Sequence, residues 1–595
     1  MTNLENTQWD LTDIFTNPEE FKTTKQTLLN ELKQIEQYKG KVTNSAQNLL
    51  EIYELYEKAL QKFEKLYAYG MLTYHLDMAN QEGIRLFKEV EALSTEIKTA
   101  TSFITPEITY ANEKQIKEYL STMPELKRYE RDILDTLEKK KYILSQQEEN
   151  LLANYAELFS SPENVFDVLT NAEFKLGTLT NEKGEEVELT DSNYTLYLKS
   201  KNESVRKQAF TLMYKKYAEF INTITELYLA NVKADVTTAK IRNYHSSLEK
   251  AVIHDDATPK VYETLIQTIH NHFSVNHEFM ELKKKLLHKP DFHLYDLYVN
   301  PFEEENEKIS FDQAKEEVLS ALSIMGTEYT NQLQQAFAKR WIDVYPNNNK
   351  RGGAYSLGVY GIHPYVLTNF VEEKRDISTI AHELGHSMHS YYANQAQTII
   401  DANYTILVAE VASTVNELLL SHAQLQKETD PKKKATILYE LLEMIRATFF
   451  RQSMFAEFEK IVHEKIEQGE MLSSEDLNHI YYELNQEYFG NQVVIDTEIQ
   501  YEWARIPHFY SNFYVYKYAT GISSAISIST KIIEQGEPFV KRYLEMLKQG
   551  CSRKSIDLLK MVDVDLESPE TYQLTIDFYQ KKIEELKNCL AHIDK

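Results

Sequence analysis

Apolar and polar residues alternate with a helical period along most of the chain. In "LLEIYELYEKALQKFEKLYAYGMLTYHLDMA", apolar residues return at i, i+3, i+4 and i+7 with charges between them, which puts one apolar stripe on a helix. "GIRLFKEVEALSTEIKTATSFI" repeats the pattern, so residues 19 to 160 read as long antiparallel helices with solvated charged faces. The period breaks at "LGTLTNEKGEEVELTDSNYTLYL", where short β-leaning pieces flank a Lys-Gly turn, and a small hairpin is expected. A division follows: an N-terminal helical lobe, 1–190, ending in the hairpin, and a second region, 191–595. Helices resume with "NESVRKQAFTLMYKKY". "DFHLYDLYVNPF" interrupts them as a loop or strand, and "KRGGAYSLGVYGIHPYVLTNF", 350–370, is again β-leaning. From 405 onward helices dominate, and no internal repeat is present.

Composition sharpens this to a mostly α fold. Among 595 residues there are only 16 Gly and 13 Pro, too few breakers for a many-stranded sandwich. The 42% hydrophobic content can fill a large core. A net charge of −26 argues against a nucleic-acid surface, which needs a basic stripe. "MTNLENTQWDLTDIF" has neither a basic n-region nor an apolar h-region, so no secretory leader is expected. No run of eighteen apolar residues points to a membrane span. Two isolated cysteines, Cys551 and Cys589, suit a reduced protein of the cytoplasm.

The densest chemistry lies in "DISTIAHELGHSMHSYY", 376–392. On a helix capped by Asp376 or Ser378, His382 and His386 stand one turn apart on one face and can aim two imidazoles at one point. Glu383 adjoins the first of them, where a carboxylate can reach a metal-bound water without ligating the metal; this is the H-E-x-x-H logic of zinc hydrolases. Catalytic zinc takes three protein ligands and keeps one position open. His389 is two turns from His382, too far to converge with it on a straight helix, so it reads as an outer donor or a core histidine. The H-E-x-x-H-x-x-G-x-x-H class is excluded, because His389 and Tyr392 occupy its Gly and third His positions. The third ligand then comes from the next helix, "YTILVAEVASTVNELLLSHAQL". A glutamate inside an apolar segment is costly without a partner. Glu410, among small residues that allow close helix approach, is the candidate ligand, and Glu417 an outer partner or an ion-pair residue.

Two other stretches could complete a site. "WARIPHFYSNFYVYKYATG" places His508 next to closely spaced tyrosines. On a helix Tyr510, Tyr514 and Tyr518 share a face; on a strand Tyr514, Tyr516 and Tyr518 do. They are either a donor cluster for an oxyanion or an aromatic core stripe. "RGGAYSLGVYG" offers Gly352, Gly353, Ala354 and Tyr355 as an exposed strand able to pair with an extended peptide, or a plain hairpin.

Taken in order, "WDLTDIF", "SSPENVFDVLTNAEFKLGTL", "VRKQAFTLMYKKY", "RGGAYSLGVYGIHPYVLTNF", "AHELGHSMHSYY", "AEVASTVNE" and "WARIPHFYSNFYVYKYATG" resemble the oligoendopeptidase F family of thimet-oligopeptidase-like zinc peptidases over nearly the whole chain. The resemblance implies a large two-lobed helical fold with a deep central channel and a small β-sheet beside the zinc helix. It makes 191–595 the catalytic region, with one zinc ion on His382, His386 and Glu410 and Glu383 as general base. His508 corresponds to a histidine that contacts substrate or intermediate. Tyr514 and Tyr518 both qualify as the oxyanion-stabilising phenol, with Tyr518 ranked first. The implied activity is hydrolysis of internal bonds in short unstructured peptides. Alternatives are a carboxypeptidase or dipeptidyl carboxypeptidase on a similar fold, or a peptide-binding protein without turnover.

Overall fold

A computed structural model describes residues 7–302 and 308–593. Part of the stretch read for a secretory leader, residues 1–6, lies outside the described residues. Long helices carry the chain, among them α1 (Ala46–Leu76), α2 (Gln81–Thr101), α3 (Ile221–Ile241), α4 (Lys374–Ala396), α5 (Ile406–Lys427), α6 (Arg451–Glu467) and α7 (Tyr516–Gln535). Strands are few and short: β1 (Thr178–Thr180) and β2 (Glu186–Glu188), then β3 (Ile342–Asp343), β4 (Tyr355–Leu357) and β5 (Tyr365–Leu367). The mostly α reading is what the structure shows.

The apolar periodicity explains the helices. On α1, Leu49, Ile52, Leu66 and Leu72 are buried in the core that also takes Val90 and Leu93 of α2, each such side chain contributing about 1.5–3 kcal/mol, and α2 approaches α1 closely where Val90 meets Gly70. The Ser45 hydroxyl accepts the Asn48 N–H at the start of α1, and Asn80 does the same for Glu82 and Gly83 at the start of α2.

The chain divides into two compact units, each assembled from three separate segments. The first comprises the described residues of Met1–Lys141, Asn306–Lys427 and Ser524–Val564; the second, those of Tyr142–Glu305, Glu428–Ser523 and Asp565–Lys595. The expected hairpin exists, with β1 antiparallel to β2 in register Leu179↔Val187. It lies inside the second unit, however, so residue 190 is not where the chain divides. A change in local period marks the end of an element, whereas compactness depends on which apolar faces meet across distant segments.

In the first unit, β3 pairs in parallel with β5, and β4 pairs antiparallel to β5, giving the order β3-β5-β4. Sequence periodicity missed β3, which is only two residues long. The sheet lies beside α4: Ser356 and Ser387 hydroxyls are 2.8 Å apart, and a β-carbon on Gly358 would meet the Ser390 Cβ at 2.6 Å. Tyr355 and Leu357, on the alternate face, pack on the core built around α1 and α2. Of the described helices, α5 is long and apolar enough to cross a bilayer, yet its Val411, Val415 and Leu419 are buried in the core.

Candidate active site

The helix that carries the H-E-x-x-H motif starts at Lys374, earlier than the expected caps. Asp376 sits in its first turn and reaches back, its carboxylate accepting the N–H groups of Val371 (2.8 Å) and Glu373 (3.1 Å). Ser378 is free of capping duty and donates to Glu417 Oε2 at 2.9 Å.

His382 and His386 lie one turn apart and meet edge to face, ring centroids 4.9 Å apart and planes at 79°. Helix α5 runs antiparallel to α4 and very close to it. A β-carbon on Gly385 would lie 2.6 Å from the Ala412 carbonyl oxygen, so only glycine allows this approach. Asn416 pins the register: its Nδ2 donates to the Ala381 carbonyl at 3.0 Å, and its Oδ1 accepts from Tyr329 at 2.9 Å. This packing brings Glu410 Oε2 to 3.4 Å from His382 Nε2 and 3.5 Å from His386 Nε2.

The three donor atoms all lie within 4.8 Å of one another. Ligands at about 2.0–2.1 Å in a tetrahedron around zinc are about 3.3 Å apart, close to both glutamate–histidine separations. His382 Nδ1 lies 2.5 Å from Glu417 Oε1. That bond holds a proton on Nδ1 and leaves Nε2 as the nitrogen available to a metal, the outer-sphere arrangement of metal-binding histidines. Although burial opposes it, hydrogen bonding to Glu410 and Glu417 raises the His382 pKa to about 10. Hydrogen bonds to His382 and His386 hold Glu410 well below the usual carboxylate range. Two carboxylates around two imidazoles therefore favour a positive charge among them, and the donor set fits a divalent metal.

Glu383 is buried, and its Oε2 has no hydrogen-bond partner among the described residues. Burial raises its pKa, only partly countered by His382 and His386. His389 is not among the three donors: its ring lies parallel to Tyr404, 3.7 Å between centroids, and burial pushes its pKa down to about 3. It sits as a core histidine.

The Gly-rich stretch is a loop leading into β4, an edge strand. Gly353 has φ +82°, and open space faces both Gly352 and Gly353. Asn369 holds the loop by donating to the carbonyls of Arg351 (3.0 Å) and Gly353 (2.7 Å). Ala354 is half-buried, and the Tyr355 hydroxyl turns away to His75 Nδ1 at 2.8 Å.

In the second unit, His508 gathers two of the four candidate tyrosines. Its ring is 5.9 Å from Tyr514 and 6.1 Å from Tyr518, and Tyr518 Oη lies 3.5 Å from His508 Nε2. The other two belong to the core. Tyr510 is buried and stacks on Phe166 at 4.6 Å, and Tyr516 is fully buried with its hydroxyl on Asp255 at 2.9 Å. Neither a pure helix nor a pure strand describes the segment. A 3-10 turn, Pro507–Tyr510, gives way to a bend at Phe513 before α7 begins, which explains why neither face pattern holds. Ser378 and Asn416, which orient this site from α4 and α5, carry no distinguishing sequence signal beyond being polar within apolar runs.

This chain, with H-E-x-x-H on one helix and paired glutamates on the next, belongs to peptidase family M3: the profile of that family matches residues 196–578, and one for oligopeptidase F matches residues 107–175. Within it, the similarity is to oligoendopeptidases F. Oligopeptidase PepF of Bacillus subtilis (strain 168) is 38% identical over 585 residues, covering 98% of this chain and 87% of that protein. The oligoendopeptidase F homolog of Lactococcus lactis subsp. lactis (strain IL1403) is 36% identical over 587 residues, 98% of each. The crystal structure of oligoendopeptidase-F from Enterococcus faecium superposes with TM-score 0.74 at 31% identity, covering 96% of this chain and 99% of that one.

Proposed function

We propose that this peptidase is a zinc-dependent oligoendopeptidase acting on internal bonds of short unstructured peptides. The convergence of His382, His386 and Glu410 within 4.8 Å carries the reading. These three residues would hold one zinc ion, with Glu417 fixing the His382 ring. Zinc there supplies Lewis acidity, polarising the scissile carbonyl and bringing a water into the titration range near neutrality. Glu383, buried with an unpartnered Oε2, takes the proton of the attacking water and delivers it to the leaving amine. Tyr518 and His508, with Tyr514 beside them, donate to the oxyanion. The open backbone at Gly352 and Gly353, continuing through Ala354 into β4, pairs with an extended peptide by strand addition. Cys551 and Cys589, neither of them in a disulfide, suit the cytoplasm.

A quenched peptide about nine residues long, blocked at both ends, tests this against the exopeptidase and binding-protein alternatives. Wild type should cleave it internally, and Glu383→Gln should not while retaining its metal. An intact blocked peptide with a trimmed unblocked one would replace the reading with an exopeptidase.

A further inference from the structure

Two buried polar side chains that no step of the proposed reaction uses converge on the backbone between His508 and Tyr518. Asn231 of α3 donates from Nδ2 to Asn512 Oδ1 at 2.9 Å and lies 3.4 and 3.5 Å from the carbonyl oxygens of Tyr510 and Phe509. Glu459 of α6, fully buried, accepts the Phe513 N–H with one carboxyl oxygen, while its other has no partner among the described residues. Phe513 has φ +55°, a left-handed conformation that is unfavourable for an aromatic residue. Its ring is held against His463 at 4.4 Å and Tyr262 at 5.7 Å.

Such a conformation persists only where the surroundings hold it. A buried carboxyl with an unpartnered oxygen is a costly way to fill space, and an apolar side chain would fill it better. What Glu459 provides is an acceptor for an N–H that would otherwise be buried and unpaired. That N–H belongs to the residue whose bend aims Tyr514 and opens α7. Asn231 ties down Phe509, Tyr510 and Asn512 ahead of the bend. We infer that Glu459 and Asn231 are positioning residues that clamp the 509–513 turn and thereby hold Tyr514 and Tyr518 against His508. The inference rests on the reading of His508 and Tyr518 as oxyanion donors.

Burial pushes the Glu459 pKa well above the usual carboxylate range, and the amide oxygen of a glutamine can accept the Phe513 N–H from the same position. On the metal-loaded enzyme with the blocked peptide, Glu459→Gln should stay within about twofold of wild type. Glu459→Ala and Asn231→Ala should each lose about tenfold or more in kcat, with KM within about twofold and metal content unchanged. The decisive measurement is a double-mutant cycle. In a background lacking both donors, His508→Ala with Tyr518→Phe, the further loss from either clamp variant should shrink to about twofold or less, because the clamp acts through the donors. Losses that multiply in full would overturn the clamp alone, as would wild-type kcat in both clamp variants. If Glu459→Ala does not accumulate as folded protein, Asn231→Ala carries the same cycle. Wild-type kcat in His508→Ala itself would overturn the donor reading, and the clamp with it.

Discussion

Gly385 of α4 and Ser413 of α5 are so close that a β-carbon on the glycine would lie 2.6 Å from the serine Cα. Backbone cannot yield as a flexible side chain can. Gly385→Ala should therefore separate the helices, costing about 1–3 kcal/mol of stability and weakening metal binding about tenfold or more. Competition against a calibrated chelator, alongside a thermal melt, measures both. Wild-type metal affinity in the variant would show that the close approach does not set the donor geometry.

Glu417 touches both His382 and Ser378. Glu417→Gln keeps the shape but removes the charge that holds the His382 proton on Nδ1. Metal affinity should fall about 10–100-fold, as for other outer partners of ligating histidines, with little change in the melting temperature of the metal-free protein. Unchanged metal affinity would reduce the contact to an ordinary helix–helix hydrogen bond.

Ligands and donors should separate cleanly. Glu410→Ala should lower metal content after dialysis. His508→Ala and Tyr518→Phe should keep the metal and lose about 10²–10³-fold in kcat, the usual loss for an oxyanion donor. Full metal occupancy in Glu410→Ala would remove that residue from the ligand set, and a Tyr514→Phe defect larger than that of Tyr518→Phe would exchange the roles of the two phenols.

His75 links α1 to the strand beside the site: Nδ1 is 2.8 Å from the Tyr355 hydroxyl and Nε2 is 3.4 Å from an Arg351 nitrogen. Burial, aided by the Arg351 charge, pushes its pKa down to about 4. The unfolded chain, with an ordinary value near about 6.5, binds a proton that the folded one does not across that interval. His75 therefore contributes stability above about pH 6.5 that is lost as pH falls toward about 4. Urea midpoints at pH 7 and 4.5 should differ less in His75→Gln than in wild type. Equal differences would show that His75 does not carry this pH dependence.

Some of the site is legible in the sequence for physical reasons that stay local. The i,i+4 spacing of His382 and His386 fixes a shared face on any helix, and the cost of a glutamate in an apolar run points to Glu410 and Glu417, of which the small residues around position 410 favour Glu410. The tyrosines are not legible in the same way. Their periodicity fits a helix or a strand, and only the bend at Phe513 sends Tyr514 and Tyr518 to His508 while Tyr510 and Tyr516 enter the core. Tyr355 shows the same limit: its position in the Gly-rich stretch suggests substrate contact, but its hydroxyl goes to His75, 280 residues earlier.

By itself the sequence determined the helices, the hairpin, the two-histidine face and the family, because each is a matter of local period, spacing or extended similarity. The tertiary structure decided that Glu417 rather than solvent meets His382 Nδ1, that His389 lies on Tyr404, and that each of the two compact units draws on three separate segments of the chain, with no division at residue 190. Those outcomes depend on which faces meet across long separations. Close packing at positions such as Gly385 selects one register among several that the same periodicity allows.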